Sequence, residues 1–459
     1  MDILNYSNIP VMADVDILVI GGGSAGSLAA LAAAQDSDYE VMLIERYGYL
    51  GGTSTQMLDT FYGFFTPGDA PKKIISGIPD RIVNALDETD DVFLRPNTYG
   101  AGTGVTYNPE RLKWVWDLQM LKAGVNVHLH TMLVDVEKST GDETICVIWH
   151  KSGFHKIKAK RIIDCSGDAY FCHMADLSYE IAGGEGSAQR MTTTFRMANV
   201  DLEKFREAGG KQMMKEKMQA SVEQGKHPLP RKEGSAHEMV QTGCISTVTV
   251  KVSDMMPLQL GELTDAEIEG RKQAFIYETF FREEVPGYED AKIIGLSHHI
   301  GVRETRRVYG EYRLTREDCM AQKITDDTVL LCGAPVEDHR KGADGEEETR
   351  WEYIPDGGVY GVPYRTLVPR GSKNAWVAGR CFSATHDAHA SCRSMAQTMG
   401  MGQAAGTAAS LSIDTDSGAD SIDVQQLRKR LQEIGTILEM PRQEADISRH
   451  GWKNNRVKQ

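Results

Sequence analysis

The chain has 459 residues, of which 41% are hydrophobic and 25% are charged, a balance typical of a folded globular protein and not of a disordered chain. Its 65 acidic residues outnumber its 51 basic residues, which gives a formal net charge of −14 and a pI near 5.5. This balance argues against nucleic-acid binding, which needs a basic surface, but it leaves room for a local basic pocket that binds anionic small molecules.

The predicted elements alternate between strands and helices. Short β-branched runs next to glycine or polar residues predict strands over Asp16–Ile20, Glu40–Glu45, Val125–Val136, Thr144–His150, Arg161–Cys165 and Asn374–Gly379. Helices are predicted over Ser24–Gln35, Leu263–Arg282 and 422–440. The stretch Glu337–Arg350 is almost entirely polar, and it predicts a solvated loop. Strand-then-glycine units at both ends, around a middle of different character, indicate a nucleotide domain in separated pieces with a second domain inserted.

A glycine-rich turn joins the first predicted strand to the first predicted helix. Gly21, Gly23 and Gly26 have the spacing G-x-G-x-x-G. The first glycine permits the tight turn, the second lets the backbone approach a pyrophosphate, and the third lets helix and strand pack closely. The helix N-terminus then offers unpaired N–H groups to phosphates.

The acid that ends the second predicted strand strengthens this interpretation. Glu45 follows Gly26 by 19 residues, where its carboxylate accepts hydrogen bonds from a ribose diol. The alternative, a glycine turn without a ligand, does not explain this acid. The sequence therefore predicts a dinucleotide site.

Further motifs carry a resemblance to a known family. They are Glu45–Thr55, Asp164–Asp168, Gly301–Arg307, Ala378–Arg393 and Gly402–Ala409. In these segments and their order the chain resembles FAD-dependent oxidoreductases that have an FAD domain of the glutathione-reductase and fumarate-reductase type. The resemblance implies an α/β fold with a Rossmann-type FAD-binding domain and an inserted α+β substrate domain.

The implied domains are discontinuous along the chain. Residues 12–66, 120–200 and 361–413 are expected to form the FAD-binding domain, and residues 67–119 and 201–360 the substrate or cap domain. Residues 414–459 are expected to form a C-terminal helical extension.

FAD is the implied cofactor, and its expected contacts come from each motif. The expected cofactor-binding residues are Gly21, Gly23, Ser24, Ala25, Gly26, Glu45, Arg46, Gly51, Gly52, Thr53, Ser166, Gly167, Asp168, Gly379, Arg380, Gly402 and Ala405. The small residues from Gly400 to Ala409 predict a helix that approaches the flavin closely, with its positive N-terminus toward the edge where reduced flavin is negative. An ordinary packing helix is the alternative.

Four residues are expected to line the substrate pocket. His386 and Arg393 lie seven residues apart, about two helical turns, and we expect both at the flavin face. His386 would act as acid or base, and Arg393 with Arg303 would anchor an anion. His299, in the pair His298-His299, is a second candidate base. The alternative for His386 and Arg393 is that they bind FAD or brace a loop.

Several absences narrow the expected function. No His, Cys or carboxylate set has metal-site spacing, so no metal is predicted. Eight scattered cysteines without a C-x-x-C pair, and an acidic start without a basic n-region, predict a cytoplasmic protein. Two uncharged stretches, Ile17–Gln35 and Ser394–Ile413, are rich in small residues and predict packed helices, not membrane spans.

The sequence predicts an enzyme that transfers a hydride between flavin N5 and a small polar organic substrate, as a dehydrogenase or oxidase. No second G-x-G-x-x-G unit is found, so electrons would pass to oxygen or a carrier, or come from a separate donor. A flavin monooxygenase and a binding or scaffold protein with structural FAD are the alternatives. The substrate's identity and a homo-oligomeric state are left open.

Overall fold

A computed structural model describes residues 6–35, 37–137, 143–184, 188–232, 235–341 and 347–456. Within these residues the strands are β1 (Val11–Ile20), β2 (Val41–Ile44), β3 (Thr60–Phe61), β4 (Val92–Arg95), β5 (Gly104–Tyr107), β6 (Asn126–His128), β7 (Met132–Glu137), β8 (Thr144–His150), β9 (Gly153–Asp164), β10 (Tyr179–Ile181), β11 (Phe195–Ala198), β12 (His237–Glu238), β13 (Ile245–Thr247), β14 (Lys292–Leu296), β15 (Arg306–Val308), β16 (Thr328–Cys332), β17 (Val336–Lys341), β18 (Glu347–Glu352), β19 (Tyr360–Pro363) and β20 (Ala375–Val377).

The α-helices are α1 (Ser24–Ala33), α2 (Thr53–Gln56), α3 (Ile78–Asp87), α4 (Pro109–Ala123), α5 (Tyr170–Met174), α6 (Leu202–Glu207), α7 (Gly210–Glu223), α8 (Leu260–Glu284), α9 (Arg316–Met320), α10 (His386–Cys392), α11 (Met395–Asp414) and α12 (Val424–Glu433). Short 3₁₀ helices lie at Tyr6–Asn8, Pro355–Gly357, Tyr364–Leu367 and Gly451–Asn454.

A mixed sheet organises the fold. Strands β6, β2, β1 and β9 are neighbours in that order and run parallel, and β20 pairs in parallel with the carboxyl end of β9. The antiparallel strands β8 and β7 extend the sheet from the other end of β9. The α/β class predicted from the sequence is confirmed.

Alternation along β1 explains why the sheet is buried on both faces. Ile17 and Val19 belong to one hydrophobic core, whereas Leu18 and Ile20 belong to another on the opposite face. The first core also contains buried side chains from α1, α3, α4 and α11. Helices α3 and α4 therefore pack with α1, although their residues fall mostly within the predicted cap segment 67–119.

A separate core lies in the middle of the chain. The antiparallel sheet β12-β13-β11-β14 and helices α6, α7 and α8 bury residues such as Phe195, Met214 and Phe281 in this core. It draws its side chains from residues 191–300. The middle of the chain thus has its own hydrophobic interior.

Three predicted elements differ from the structure. The helix expected over 422–440 is shorter, because α12 ends at Glu433 and Gly435 follows with a left-handed φ of 89°. The single strand expected over Val125–Val136 is divided into β6 and β7 around His130, which has a left-handed φ of 54°. The polar stretch Glu337–Arg350 is not a plain loop, because β17 and β18 pair there as an antiparallel hairpin. Residues 342–346 lie outside the described residues. The polar stretch pairs because its buried side chain, His339, and its half-buried side chain, Glu337, have polar partners in the fold.

Glycines let α11 lie directly against α1. A Cβ added at Gly402 would lie 2.0 Å from the Ala25 carbonyl oxygen, and one at Gly406 would lie 2.1 Å from the Ala29 carbonyl oxygen. Both distances are far below van der Waals contact. The two helices can therefore pack this closely only with glycine at these positions.

We predict that Gly402→Ala lowers the free energy of unfolding by about 1–3 kcal/mol, because the added methyl group forces the two helices apart. The matched control is Gly400→Ala in the same helix, whose added Cβ would meet its nearest neighbours at 3.4 Å. It should be neutral or stabilising by up to about 1 kcal/mol, since alanine favours helix over glycine. Thermal unfolding followed by circular dichroism measures both, and equal melting temperatures would contradict the packing described here.

Candidate active site

The carboxyl ends of the parallel strands open onto one large cavity. Strands β1, β2, β9 and β20 end together at this edge, and the segments that follow each of them line a cavity of about 720 Å³. Ligands bind outside the carboxyl ends of strands in such sheets. The cavity continues from this edge to residues of β4, α7, β12 and the β17–β18 hairpin.

Most residues predicted to bind the cofactor or the substrate line this cavity. They are Gly21, Gly23, Ser24, Ala25, Glu45, Arg46, Gly52, Thr53, Ser166, Gly167, Asp168, Gly379, Arg380, His299, Arg303 and Arg393. Five predicted residues are not among its lining residues, namely Gly26, Gly51, Gly402, Ala405 and His386.

The three glycines of the first turn differ in what surrounds them. Gly21 has a left-handed φ of 94°, and a Cβ there would lie 2.6 Å from the Cys165 carbonyl oxygen. A Cβ at Gly26 would lie 1.8 Å from the Gly21 carbonyl oxygen. Gly23 has an ordinary φ of −66°, and its Cβ would meet only the Gly52 Cα, at 3.9 Å. Gly21 and Gly26 are therefore needed for packing, whereas Gly23 leaves space beside the cavity.

The N-terminus of α1 is open to the cavity. No side chain caps the helix, and its first two residues, Ser24 and Ala25, line the cavity. The first N–H groups of a helix have no partner within the helix, and together with the helix dipole they favour an anion. This end of the cavity is therefore suited to a phosphate group.

Glu45 lies at the same edge, directly after β2. Its two carboxylate oxygens accept hydrogen bonds from the backbone N–H groups of Gly22, at 2.7 Å, and Tyr47, at 2.8 Å. Burial raises the pKa of Glu45, although these N–H groups and Arg46 oppose the shift. Each carboxylate oxygen has a second lone pair, so the group can still accept hydrogen bonds from a ligand.

Asp168 joins two arginines across the cavity. Its Oδ1 accepts hydrogen bonds from Arg380 Nη2 at 2.7 Å and from the Thr305 hydroxyl at 2.9 Å, and Arg46 Nη1 lies 3.9 Å from Oδ2. Burial alone would raise the pKa of Asp168, but the charges of Arg380 and Arg46 lower it below its ordinary value. The carboxylate thus stays ionised and holds both guanidinium groups in place.

His299 is fixed in the cavity wall through both ring nitrogens. Its Nδ1 donates to the Ile300 carbonyl oxygen at 2.7 Å, and its Nε2 contacts the side-chain amide of Gln56. Burial lowers the pKa of His299. With Nδ1 protonated, the neutral imidazole has its lone pair on Nε2, where the Gln56 side-chain amide is its partner, so Nε2 can accept a substrate proton when Gln56 turns away.

Arg303 and Arg393 lie together with Glu337 and His339. Arg303 Nη1 donates to Thr192 Oγ1 at 2.8 Å, and Arg393 Nη2 donates to the Glu337 carbonyl oxygen at 3.3 Å. Burial raises the pKa of Glu337, but His339, Arg393 and Arg303 have the larger combined effect and lower it to about 2. Burial, together with the Arg303 charge, lowers the pKa of His339 to about 4. Both arginines line the same cavity, and their role in binding an anion remains a prediction.

His386 differs from the expectation in its position. Its Nδ1 lies 3.2 Å from Glu304 Oε2, and its Nε2 lies 3.2 Å from Asp338 Oδ1. Burial would lower its pKa, but these two carboxylates raise the pKa of His386 to about 10. A protonated imidazole between two carboxylates has no lone pair for a substrate proton. The acid/base role of His386 stays a prediction, and its contacts favour a role in positioning β17.

Gly402 and Ala405 also lie elsewhere than expected. They belong to the part of α11 that packs against α1, whereas the beginning of α11 reaches the cavity through Ser394, Met395 and Thr398. The prediction that the N-terminus of this helix points toward the ligand is compatible with that position. The small residues that follow serve helix packing.

The sequence analysis did not predict one wall of the cavity. Arg95, Lys211, Arg231 and His237 line it, and each comes from a different segment. No motif links these residues, because each stands alone between ordinary polar or strand residues. The grouping of Arg95, Lys211 and Arg231 around one cavity becomes visible only when the segments are brought together.

Two further observations concern metals and membranes. Asp338, His386 and Asp387 place possible ligand atoms within 4.8 Å of one another, and so do His227, Glu283 and Glu284. The prediction that no metal is bound remains untested. Across the described ranges, none of the helices combines the length and apolar character needed to cross a membrane.

A family model described as FAD dependent oxidoreductase matches residues 16–431. The match covers most of the chain, so the chain belongs to the FAD-dependent oxidoreductase family, and it is an enzyme whose cofactor is FAD. No curated protein resembles the chain closely enough to count as a match.

Many solved structures share a distant likeness. A geranylgeranyl bacteriochlorophyll reductase-like protein from Thermoplasma acidophilum is 15% identical over 92% of this chain and 83% of that chain, with a TM-score of 0.44. A p-nitrophenol 4-monooxygenase from Pseudomonas putida is 11% identical over 93% and 88%, with a TM-score of 0.44. A flavoprotein/dehydrogenase from Cytophaga hutchinsonii is 12% identical over 92% and 83%, with a TM-score of 0.41. Because these TM-scores are low, we base the functional assignment on the family and the cavity.

The residues at the carboxyl edge fit FAD. The uncapped N-terminus of α1 matches a pyrophosphate, the open space beside Gly23 allows close approach, and Glu45 offers acceptors for a ribose. These features come from the fold itself.

We predict that Gly23→Val abolishes FAD binding and leaves the fold intact. The backbone at Gly23 tolerates a side chain, so the isopropyl group would occupy cavity space without straining the protein. Gly26→Ala is the matched contrast, since its methyl group would collide with the Gly21 carbonyl oxygen and lower stability. Flavin fluorescence titration and circular dichroism separate the two effects, and stoichiometric FAD in folded Gly23→Val would refute the assignment.

We also predict a pH-dependent stabilisation through His386. Its folded pKa of about 10 lies above its ordinary value of 6.5, so the stabilisation is complete below about pH 6.5 and is lost as pH rises through 10. His386→Gln should therefore lower the melting temperature at pH 7, and the difference from the wild type should shrink toward pH 10. The exposed His450→Gln is the control, and a constant difference across this range would contradict the ion pairs described here.

Proposed function

We propose that this enzyme transfers a hydride between FAD and a small, anionic organic substrate, as a dehydrogenase or oxidase. One observation carries the proposal: a single cavity runs from the N-terminus of α1 to a wall that contains His299, Arg303 and Arg393. A dinucleotide and an anionic substrate can share this cavity. When bound, FAD supplies a hydride-accepting flavin.

We assign the cofactor contacts to the carboxyl edge of the sheet. The first turn of α1 would bind the pyrophosphate, and Glu45 would bind the adenosine ribose. Arg46, Asp168 and Arg380 form a rigid polar group beside them and would contact the remaining hydroxyl and phosphate oxygens. The parallel strand order and the loop Gly51-Gly52 support an FAD domain of the Rossmann and glutathione-reductase type.

His299 is the acid/base residue that the cavity favours. Its lowered pKa keeps the imidazole neutral near pH 7, and its hydrogen bond to the Ile300 carbonyl oxygen orients the ring. It would take the proton from a substrate hydroxyl or amino group as the hydride leaves the neighbouring carbon. His386 is already protonated, so it would hold β17 against α10.

Arg303 and Arg393 would bind a substrate carboxylate. Arg393 Nε is buried and has no hydrogen-bond partner among the described residues, so it is left with a donor for a ligand. Arg303 is fixed by Thr192, which limits its freedom before a substrate arrives. Planar guanidinium groups bind carboxylates through two parallel hydrogen bonds.

The second core supports a domain proposal. We assign the middle of the chain, with the sheet β12-β13-β11-β14, to a substrate domain that supplies Lys211, Arg231 and His237 to the cavity. This assignment corresponds to the segment 201–360 of the predicted substrate or cap domain. Segment 67–119 is closer to the cofactor domain, because α3 and α4 share its core.

We predict that His299→Ala keeps FAD but slows anaerobic flavin reduction by about 10²–10⁴, the usual effect of losing a general base. The substrate is found by screening hydroxy and amino acids for bleaching of the flavin without oxygen. His298→Ala is the matched control, because the His298 ring packs against Tyr49 in a tilted arrangement and is not among the cavity-lining residues. Stopped-flow absorbance measures each rate.

The same experiment tests His386 and the alternative reaction. If anaerobic flavin reduction is slow in His386→Ala but proceeds at the wild-type rate in His299→Ala, then His386 is the acid/base residue. Consumption of NAD(P)H and oxygen with substrate hydroxylation, and no anaerobic reduction by any substrate, would replace the proposal with a flavin monooxygenase.

A further inference from the structure

We propose that Arg95, Lys211, Arg231 and His237 form a second anion-binding site in the cavity, so that the substrate is a small organic acid with two anionic groups. The first anionic group would bind Arg303 and Arg393. This second site deepens the proposed function, because it belongs to the same cavity and specifies the class of substrate.

The four residues reach the cavity from four places in the fold. Arg95 ends β4, Lys211 lies in the first turn of α7, Arg231 follows α7, and His237 begins β12. The cluster therefore joins the two hydrophobic cores at their common cavity. Such convergence is what a ligand with fixed charges needs.

Arg95 is held in place with one donor unused. Its Nη2 donates to the Tyr62 hydroxyl, and its guanidinium carbon lies 5.6 Å from the centre of the Tyr62 ring. Its Nη1 is buried and has no hydrogen-bond partner among the residues that the structure describes. A buried donor without an acceptor costs free energy, and an anionic ligand would remove that cost.

Arg231 is also fixed by the protein. Its Nη1 donates to the Val248 carbonyl oxygen at 3.0 Å, and its backbone N–H donates to the Tyr277 hydroxyl at 2.8 Å. Two fixed guanidinium groups and the ammonium of Lys211 thus line one wall. This combination provides directional hydrogen bonds and additional positive charge.

The acids near this wall are already engaged. Glu238 lies close to Lys211, but it pairs with Arg206 at 2.5 Å and with Arg449 at 3.7 Å. Asp59 also lines the cavity; its Oδ1 accepts a hydrogen bond from the Thr60 hydroxyl, and its Oδ2 has no hydrogen-bond partner among the described residues. Among the described residues, the cations of Arg95 and Lys211 therefore outnumber the one lining carboxylate at this wall, Asp59, and a bound anion would balance that excess.

The pKa of His237 is affected by the same positive charges. Burial and the charges of Arg95, Lys211 and Arg231 lower its pKa well below the ordinary value, so its ring is neutral and can donate a hydrogen bond. Burial lowers the pKa of Arg303, and the positive charges of Arg393 and Arg231 lower it further. The two anion sites thus adjoin each other, and both lie apart from the α1 turn that suits the pyrophosphate of FAD.

The test compares glutarate, its one-carboxylate analogue valerate, and inorganic phosphate as ligands of the FAD-loaded enzyme, by calorimetric titration. We expect glutarate to bind at least about tenfold tighter than valerate, because a second charge-assisted contact is made. Lys211→Gln and Arg95→Gln should remove this preference and leave FAD affinity and valerate binding unchanged. The matched control is Lys215→Gln, an exposed position on α7 that is not among the cavity-lining residues.

Equal binding of glutarate and valerate, or an equal loss in Lys215→Gln, would overturn the second site. Phosphate that binds tighter than glutarate, and loses this binding in Lys211→Gln, would support the site and assign it to a phosphate group in place of a carboxylate. A glutarate preference without anaerobic flavin reduction by any acid would uphold the second site and refute the proposed hydride transfer. Anaerobic flavin reduction by a monoanionic acid, together with equal binding of glutarate and valerate, would uphold the proposed hydride transfer and refute the second site.

Discussion

The close approach of backbone to backbone around α1 determines where the cavity lies. Gly26 brings α1 against the turn that precedes it, and Gly402 and Gly406 bring α11 against its other side. Added Cβ atoms at these positions would lie about 2 Å from carbonyl oxygens, so even alanine would move the helix. The uncapped N-terminus of α1 is thereby fixed at the edge where β1, β2, β9 and β20 end. A phosphate site made of N–H groups needs this precision, because its hydrogen bonds are directional.

Charge is distributed in the cavity in two different ways. Near the carboxyl edge, the two carboxylates of Asp168 and Glu45 lie beside the two cations of Arg46 and Arg380, so negative and positive groups are equal in number there. At the opposite wall the cations of Arg95 and Lys211 outnumber the lining carboxylate of Asp59 among the described residues. A region with balanced charges suits a cofactor that stays bound, whereas a region with excess positive charge suits an anionic substrate that binds and dissociates in each turnover. Burial strengthens this contrast, since unpaired charges cost more when water is excluded.

Local motifs explain why the sequence predicted the cofactor edge well and the opposite wall poorly. The turn at Gly21–Gly26 and the acid Glu45 lie within one strand–helix–strand unit, so their spacing alone fixes their relative positions. Arg95, Lys211 and His237 are brought together by three separate segments, and nothing in their local sequence marks them. His386 is a different case, and its acid/base role remains a prediction. Its motif suggested a base, but the partners that decide its protonation, Glu304 and Asp338, lie 82 and 48 residues away along the chain.

Those partners give the polar hairpin a structural role that composition alone hides. Glu304 is buried, and it pairs with Arg307 and His386, while Asp338 of β17 contacts the other side of the His386 ring. His386 therefore links β17 to α10 through charge instead of apolar contact. Glu337 and His339, on the same strand, are then held beside the cavity. A sequence of alternating charges forms an ordered wall here because each buried charge finds an opposite one, which is the condition for burying it at all.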